Sequence, residues 1–131
     1  MNINHIMLGD WVMVGGKPMQ VAAVHKNKVG FHVRQDRLTW RFANAVEPIF
    51  LTAQTLANSG FEYDEKSKMY ALGVVPIGLL ASQLGEWWNV GRIMQLDGYI
   101  YNFVETTFTI CYVSDLQHIL RLLRIKHEIK L

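Results

Sequence analysis

Short stretches of alternating apolar and polar residues constrain the first third of the chain more than any other feature. Residues 29–34 alternate in this way, and Leu38, Trp40 and Phe42 share one side of the next stretch. Several short amphipathic strands separated by close turns are typical of a small curled sheet, because such strands must bury a common face. The sequence therefore predicts an SH3-like β unit over residues 1–48.

The rest of the chain, residues 49–131, predicts a second unit in which strands and helices are mixed. Its predicted elements are a helix over about 53–59, a β meander over about 68–113, a helix over about 115–124 and an edge strand over about 125–131. The predicted fold class is α+β and strand-rich, with an SH3-like small barrel followed by an antiparallel sheet that carries two short helices.

Local signals set the ends of both predicted helices. Thr52 is placed to cap the start of the first helix, and Gly60 supplies the left-handed residue after its end. Ser114 and Gln117 have the spacing of a capping box for the second helix. The apolar side chains of that helix recur at helical spacing at Leu116, Ile119, Leu120 and Leu123.

Composition favours a folded protein in a reducing compartment. Half of the 131 residues are hydrophobic, and the net charge is only +2. The single cysteine, Cys111, makes no internal disulfide, and the N-terminus lacks the basic region of a signal peptide. The uncharged stretch 69–85 is interrupted by Pro76 and several glycines, which favours buried strands over a membrane span. We therefore expect a cytoplasmic protein without membrane contact.

No constellation of polar residues predicts catalysis. The histidines His5, His25, His32, His118 and His127 have no metal-ligand spacing among themselves or with the single cysteine. Gly15-Gly16 predicts a hairpin turn and not a phosphate loop, because no helix follows it. We expect no enzyme activity, no metal and no cofactor.

Five basic residues of the first unit raise the alternative of nucleic-acid binding. They are Lys26, Lys28, Arg34, Arg37 and Arg41. Aromatic side chains are interleaved with them, as in small barrels that bind single strands. However, alternation places Trp40 and Phe42 opposite Arg41, so we expect the rings in the core and the cations simply solvated. Only weak, sequence-independent phosphate contacts would then remain.

The apolar excess of the second unit predicts an interaction surface. Trp87 and Trp88 are adjacent, so on one strand they point to opposite faces, and Tyr99 and Tyr101 share one face of a later strand. Exposed aromatic residues are the usual anchors of protein interfaces. These four residues are the predicted interface, and a protein-interaction or self-associating module is the leading functional hypothesis.

Three short motifs resemble a group of small proteins with no assigned activity. They are residues 8–12, LGDWV; residues 48–52 with Leu56 and Gly60-Phe61; and residues 116–119, LQHI, with Leu123. The group, common in gut-bacterial genomes and their phage-like or conjugative elements, has the pattern "(I/L)GN(W/Y)V", "PIPLTEEWLLKFGF" and "LQNLYFALTGEEL". This chain departs from it at Asp10, Thr55 and Arg124-Ile125. The resemblance implies a mobile-element setting and adds no site residue.

Overall fold

Two compact units divide the chain in this computed structural model. The structure describes residues 1–73, 77–82, 85, 87–96 and 99–131, with side chains described outside 94–108. Unit 1 comprises Met1–Phe50 and Tyr112–Ile125, and unit 2 comprises Leu51–Cys111 and Lys126–Leu131. Within the described residues there are three sheets and two α-helices, which confirms the predicted strand-rich α+β class.

Unit 1 contains six short strands in two antiparallel sheets. The strands are β1 (Trp11–Val14), β2 (Lys17–Gln20), β3 (Ala23–His25), β4 (Lys28–Arg34), β5 (Arg37–Phe42) and β6 (Val46–Pro48). One sheet has the order β2-β1-β6 and the other has the order β3-β4-β5. Both sheets supply side chains to one apolar core, including Val12, Val29, Phe31 and Val46. The described strands form no closed barrel, so the predicted SH3-like barrel is not confirmed.

A β-bulge at Val33 sets the pairing of β4 with β5. Arg34 pairs with Arg37 across the turn, but the next pair is His32 with Leu38, so Val33 is left without a partner. A regular ladder from Arg34 and Arg37 would place Trp40 opposite Phe31. With the bulge, Trp40 lies opposite Gly30 instead. A one-residue shift moves a strand's side chains to the other face of its sheet, so the bulge turns Trp40 away from Phe31.

Helix α2 (Val113–Leu122) belongs to unit 1 and not, as the predicted 48/49 division implies, to the second unit. It begins earlier than predicted, because the Asp115 carboxylate accepts the backbone N–H of Tyr112 at 3.0 Å. The predicted capping box of Ser114 and Gln117 does not form, because Tyr112 is the N-cap residue and the Gln117 side chain bonds the backbone of Trp11 and Gly9. The helix also ends earlier than predicted, and Arg124 just beyond it has a left-handed φ of 58°.

Gln117 connects α2 to the loop before β1. Its side-chain oxygen accepts the backbone N–H of Trp11 at 2.9 Å, and its amide nitrogen donates to the carbonyl of Gly9 at 2.9 Å. Gln117 is more than a hundred positions from both Trp11 and Gly9 in the chain. One side chain thus satisfies two backbone groups that no sheet or helix bond reaches.

Asp10 adds a charged connection between the same loop and α2. Its side chain is fully buried and accepts His118 Nε2 at 2.7 Å and Arg121 Nη1 at 2.9 Å. The backbone N–H of Met7 donates to the same carboxylate at 2.8 Å. A buried carboxylate is stable only when such donors surround it. We call the contacts of Gln117 and Asp10 together the polar clamp.

Unit 2 is built on one five-stranded antiparallel sheet. Its elements are α1 (Ala53–Asn58), β7 (Glu62–Asp64), β8 (Met69–Ala71), β9 (Ile77–Ala81), β10 (Trp88–Leu96) and β11 (Tyr99–Ile110). The strand order β11-β10-β9-β8-β7 is the meander that the sequence predicts. Within the described residues, neither α1 nor α2 has the length and apolar character needed to cross a membrane.

Helix α1 has the ends that the sequence predicts. The Thr52 hydroxyl accepts the N–H of Thr55 at 3.2 Å. At the other end Gly60 has a φ of 88°, and the N–H of Phe61 returns to the carbonyl of Leu56 at 3.0 Å. This bond, which spans the left-handed residue Gly60, closes the last turn of the helix.

The C-terminal segment is not the edge strand predicted over 125–131. Ser59, at the end of α1, accepts the N–H of Lys130 at 2.9 Å and donates to its carbonyl at 3.2 Å. Ile129 is buried, and His127 contacts the Phe61 ring edge-on. The backbone N–H and carbonyl of Lys130 thus bond to the Ser59 hydroxyl and not to a neighbouring strand. The alternating pattern of this segment comes from individual side chains, such as Ile129, that pack within unit 2.

The polar clamp predicts a specific stability loss. Gln117→Ala removes the acceptor of the Trp11 N–H and one donor to the Gly9 carbonyl, which also accepts from Gln20 Nε2, so we expect the free energy of unfolding to fall by about 2 kcal/mol. Urea denaturation followed by circular dichroism measures the change. Gln54→Ala, at an exposed glutamine of α1, is the control and should change stability by less than about 0.5 kcal/mol. Equal losses in the two variants would contradict the clamp.

Candidate nucleic-acid interface

The sheet β3-β4-β5 has one face in the unit 1 core and one face in solvent. Val29 and Phe31 of β4 fill the core face and are essentially fully buried. On the other side, cross-strand pairing brings together alternate residues of β4 and β5. We call this side the outer face; it is formed by Lys28, Gly30, His32, Leu38, Trp40 and Phe42.

Aromatic rings are open to solvent on the outer face. Trp40 is 39% exposed and Phe42 is 54% exposed. The expectation that these rings belong to the core is therefore wrong. The bulge at Val33 is the physical reason, because it shifts the register by one residue and so exchanges the faces of β5.

Gly30 allows the Trp40 ring to lie close to the sheet. A Cβ atom added at Gly30 would stand only 3.2 Å from ring carbon Cζ3 of Trp40 and 3.3 Å from Cε3. The ring therefore occupies the space above a residue without a side chain. The Trp40 ring thus contacts the sheet on one side, and its exposed surface is directed to solvent.

Lys28 is the cation that lies beside these rings on the outer face. The Lys28 ammonium stands over the Phe42 ring at 5.1 Å from its centroid. Arg34 and Arg37 pair across one turn of the hairpin, and Lys26 lies in the opposite turn with a φ of 55°. Arg41 donates to the Trp40 carbonyl at 3.0 Å. All five predicted basic residues are exposed, but Arg37 and Arg41 alternate with Trp40 and Phe42 and so lie on the opposite side of β5 from the rings.

The residues of the predicted protein interface are placed differently. Trp88 is buried, donates its indole N–H to the Leu51 carbonyl at 2.9 Å and contacts the Tyr70 ring edge-on. Trp87 is half-buried. The side chains of Tyr99 and Tyr101 on β11 lie outside the described residues. Trp88 is thus a core residue of unit 2 and does not offer its ring to a partner.

The histidines take separate structural positions. His5, His25 and His32 are exposed, whereas His118 belongs to the polar clamp and His127 donates to the Ser59 carbonyl. Within the described part of the chain, no three side chains of histidine, cysteine or carboxylate type come together as metal ligands.

Comparison of the chain with protein-family models, with curated proteins and with solved structures finds no match.

The assignment of faces predicts unequal stability losses for two phenylalanines of the hairpin. Phe31→Ala opens a cavity in the core and should lower the free energy of unfolding by about 3–5 kcal/mol. Phe42→Ala removes a half-exposed ring and should cost at least about 2 kcal/mol less. Chemical denaturation of both variants measures the difference. Equal losses would show that both rings lie in the core, which would contradict the bulged register.

Proposed function

We propose that the outer face of β3-β4-β5 binds nucleic acid without sequence selectivity. The exposure of Trp40 and Phe42, with the Lys28 ammonium over the Phe42 ring, is the observation that supports this most strongly. Aromatic rings contact the flat face of any base, and lysine and arginine contact the phosphates. Neither kind of contact reads the base edges, so no sequence preference is expected.

The charge of the hairpin region supports an anionic ligand. Residues 23–42 carry five basic side chains and one acidic side chain, Asp36, a local net charge of 5 − 1 = +4. The whole chain carries only +2, so the rest of it is net negative. A local concentration of positive charge attracts a polyanion even when the protein as a whole is nearly neutral.

Two further features accompany the proposal. The two sheets of unit 1 share one core, which favours an open relative of the SH3-like barrel as its architecture. The motif resemblance favours a mobile-element setting. A small binder of nucleic acid without sequence preference suits that setting, and both points remain proposals.

Charge reversal on the hairpin tests the proposed function. Lys26→Glu with Lys28→Glu should weaken binding of a labelled oligonucleotide by about tenfold or more at low salt, because phosphate contacts are lost and repulsion is added. Fluorescence anisotropy at low and at physiological salt measures the affinity. Binding by the native chain should weaken steeply as salt increases.

A matched variant controls for net charge. Lys66→Glu with Lys126→Glu changes the net charge by the same amount at two exposed lysines of unit 2. This variant should bind nearly as tightly as the native protein. The absence of binding by the native protein at low salt would overturn the proposal, and so would equal weakening in both double variants.

Self-association is the second candidate, and the position of β11 favours it. This twelve-residue strand is at one edge of the unit 2 sheet, and β10 is its sheet neighbour. Glu105 is its single charged residue, and it contains no proline or lysine. Natural edge strands usually carry such residues to prevent pairing with another chain. A second copy of the chain is the partner that this edge fits.

Sedimentation over a wide range of protein concentration tests this second candidate. The native chain should form a dimer, and Asn102→Lys, at a regularly paired position of β11, should leave it monomeric, because a lysine on an edge strand discourages pairing with another chain. A native chain that stays monomeric throughout would exclude pairing through β11. Circular dichroism of the variant shows whether the monomer keeps its sheet.

A further inference from the structure

The spacing of the two exposed rings carries information about the ligand. Trp40 and Phe42 are two residues apart on β5, which corresponds to about 7 Å along a strand. Successive nucleotides in one strand of a duplex rise by about 3.4 Å. The ring spacing is thus about twice the duplex repeat, and it suits a strand whose bases are no longer stacked on each other.

The surroundings of each ring suit an unpaired base with its phosphate. Trp40 lies over Gly30 and presents aromatic surface to solvent at the centre of the outer face. At Phe42, the Lys28 ammonium stands 5.1 Å from the ring centroid, within reach of a phosphate that follows a base at this position. Phe42 and Lys28 together therefore offer a stacking surface for a base and a cation for its phosphate.

We propose that the outer face binds single-stranded nucleic acid by stacking successive unpaired bases on Trp40 and Phe42. This inference rests on the proposed function and deepens it from nucleic acid in general to unpaired strands. Base pairs inside a duplex already have both flat faces covered by their neighbours, so they offer the rings no surface. A duplex could use only the cations.

An oligonucleotide without bases separates stacking from charge. We would compare a short oligothymidylate, an abasic strand of the same length and a duplex of the same length by fluorescence anisotropy. The native protein should bind oligothymidylate about 5- to 100-fold more tightly than the abasic strand, which has the same phosphates and no base. It should also prefer oligothymidylate to the duplex, and oligouridylate should bind like oligothymidylate, because stacking does not involve the sugar.

Substitution of Trp40 identifies the residue responsible. Trp40→Ala should weaken oligothymidylate binding by about 5- to 100-fold and leave abasic binding unchanged. Trp40→Tyr keeps a ring and should retain most of the affinity, which separates stacking from a loss of folding. Tyr63→Ala, at a half-exposed ring of another sheet, is the control that should change neither affinity.

The outcomes distinguish this inference from the proposed function. Equal binding of oligothymidylate, abasic strand and duplex, abolished by Lys26→Glu with Lys28→Glu, would overturn stacking and leave nucleic-acid binding in place. An equal effect of Trp40→Ala on abasic and base-containing strands would also overturn it. Failure of every oligonucleotide to bind at low salt would overturn both.

Discussion

The unpaired residue Val33 determines which side chains of the β4–β5 hairpin meet the core and which meet solvent. Because of this bulge, β4 contributes Val29 and Phe31 to the core, whereas β5 turns Trp40 and Phe42 outwards. A strand pair can bury only one face against a single small core. The other face is then free for a ligand, and here it combines aromatic rings with a cation. The candidate site thus depends on a single irregularity in one ladder of hydrogen bonds.

The polar clamp fixes the position of α2 within unit 1. Gln117 holds the backbone on both sides of Asp10, and Asp10 itself is buried under His118 and Arg121. Hydrogen bonds of this kind have demanding geometry, so they fix the position of α2 more narrowly than apolar packing does. The motifs around residues 8–12 and 116–119, noted in the sequence for their resemblance to other proteins, meet in this clamp.

Features that depend on neighbouring residues could be predicted from the sequence, and features that depend on distant partners could not. The ends of α1 follow from Thr52 and Gly60, and the meander of unit 2 follows from local strand patterns. Gln117 was assigned to a helix cap because its two backbone partners are more than a hundred residues away. Alternation shows that a strand has two different faces, but it does not show which of them is buried. The sequence therefore predicts Trp40 in the core, whereas the structure exposes it. Which face is buried depends on the bulge, for which Val33 gives no local signal.

A nitrogen-15 correlation spectrum recorded during titration with oligothymidylate tests the role of the outer face most directly. The indole N–H of Trp40 and the backbone amides of β4 and β5 should shift as the ligand is added. The indole N–H of Trp88 is buried and bonded to Leu51, so it provides an internal reference that should not move. Shifts confined to other elements, with Trp40 unchanged while the oligonucleotide binds, would contradict the assignment of binding to this face.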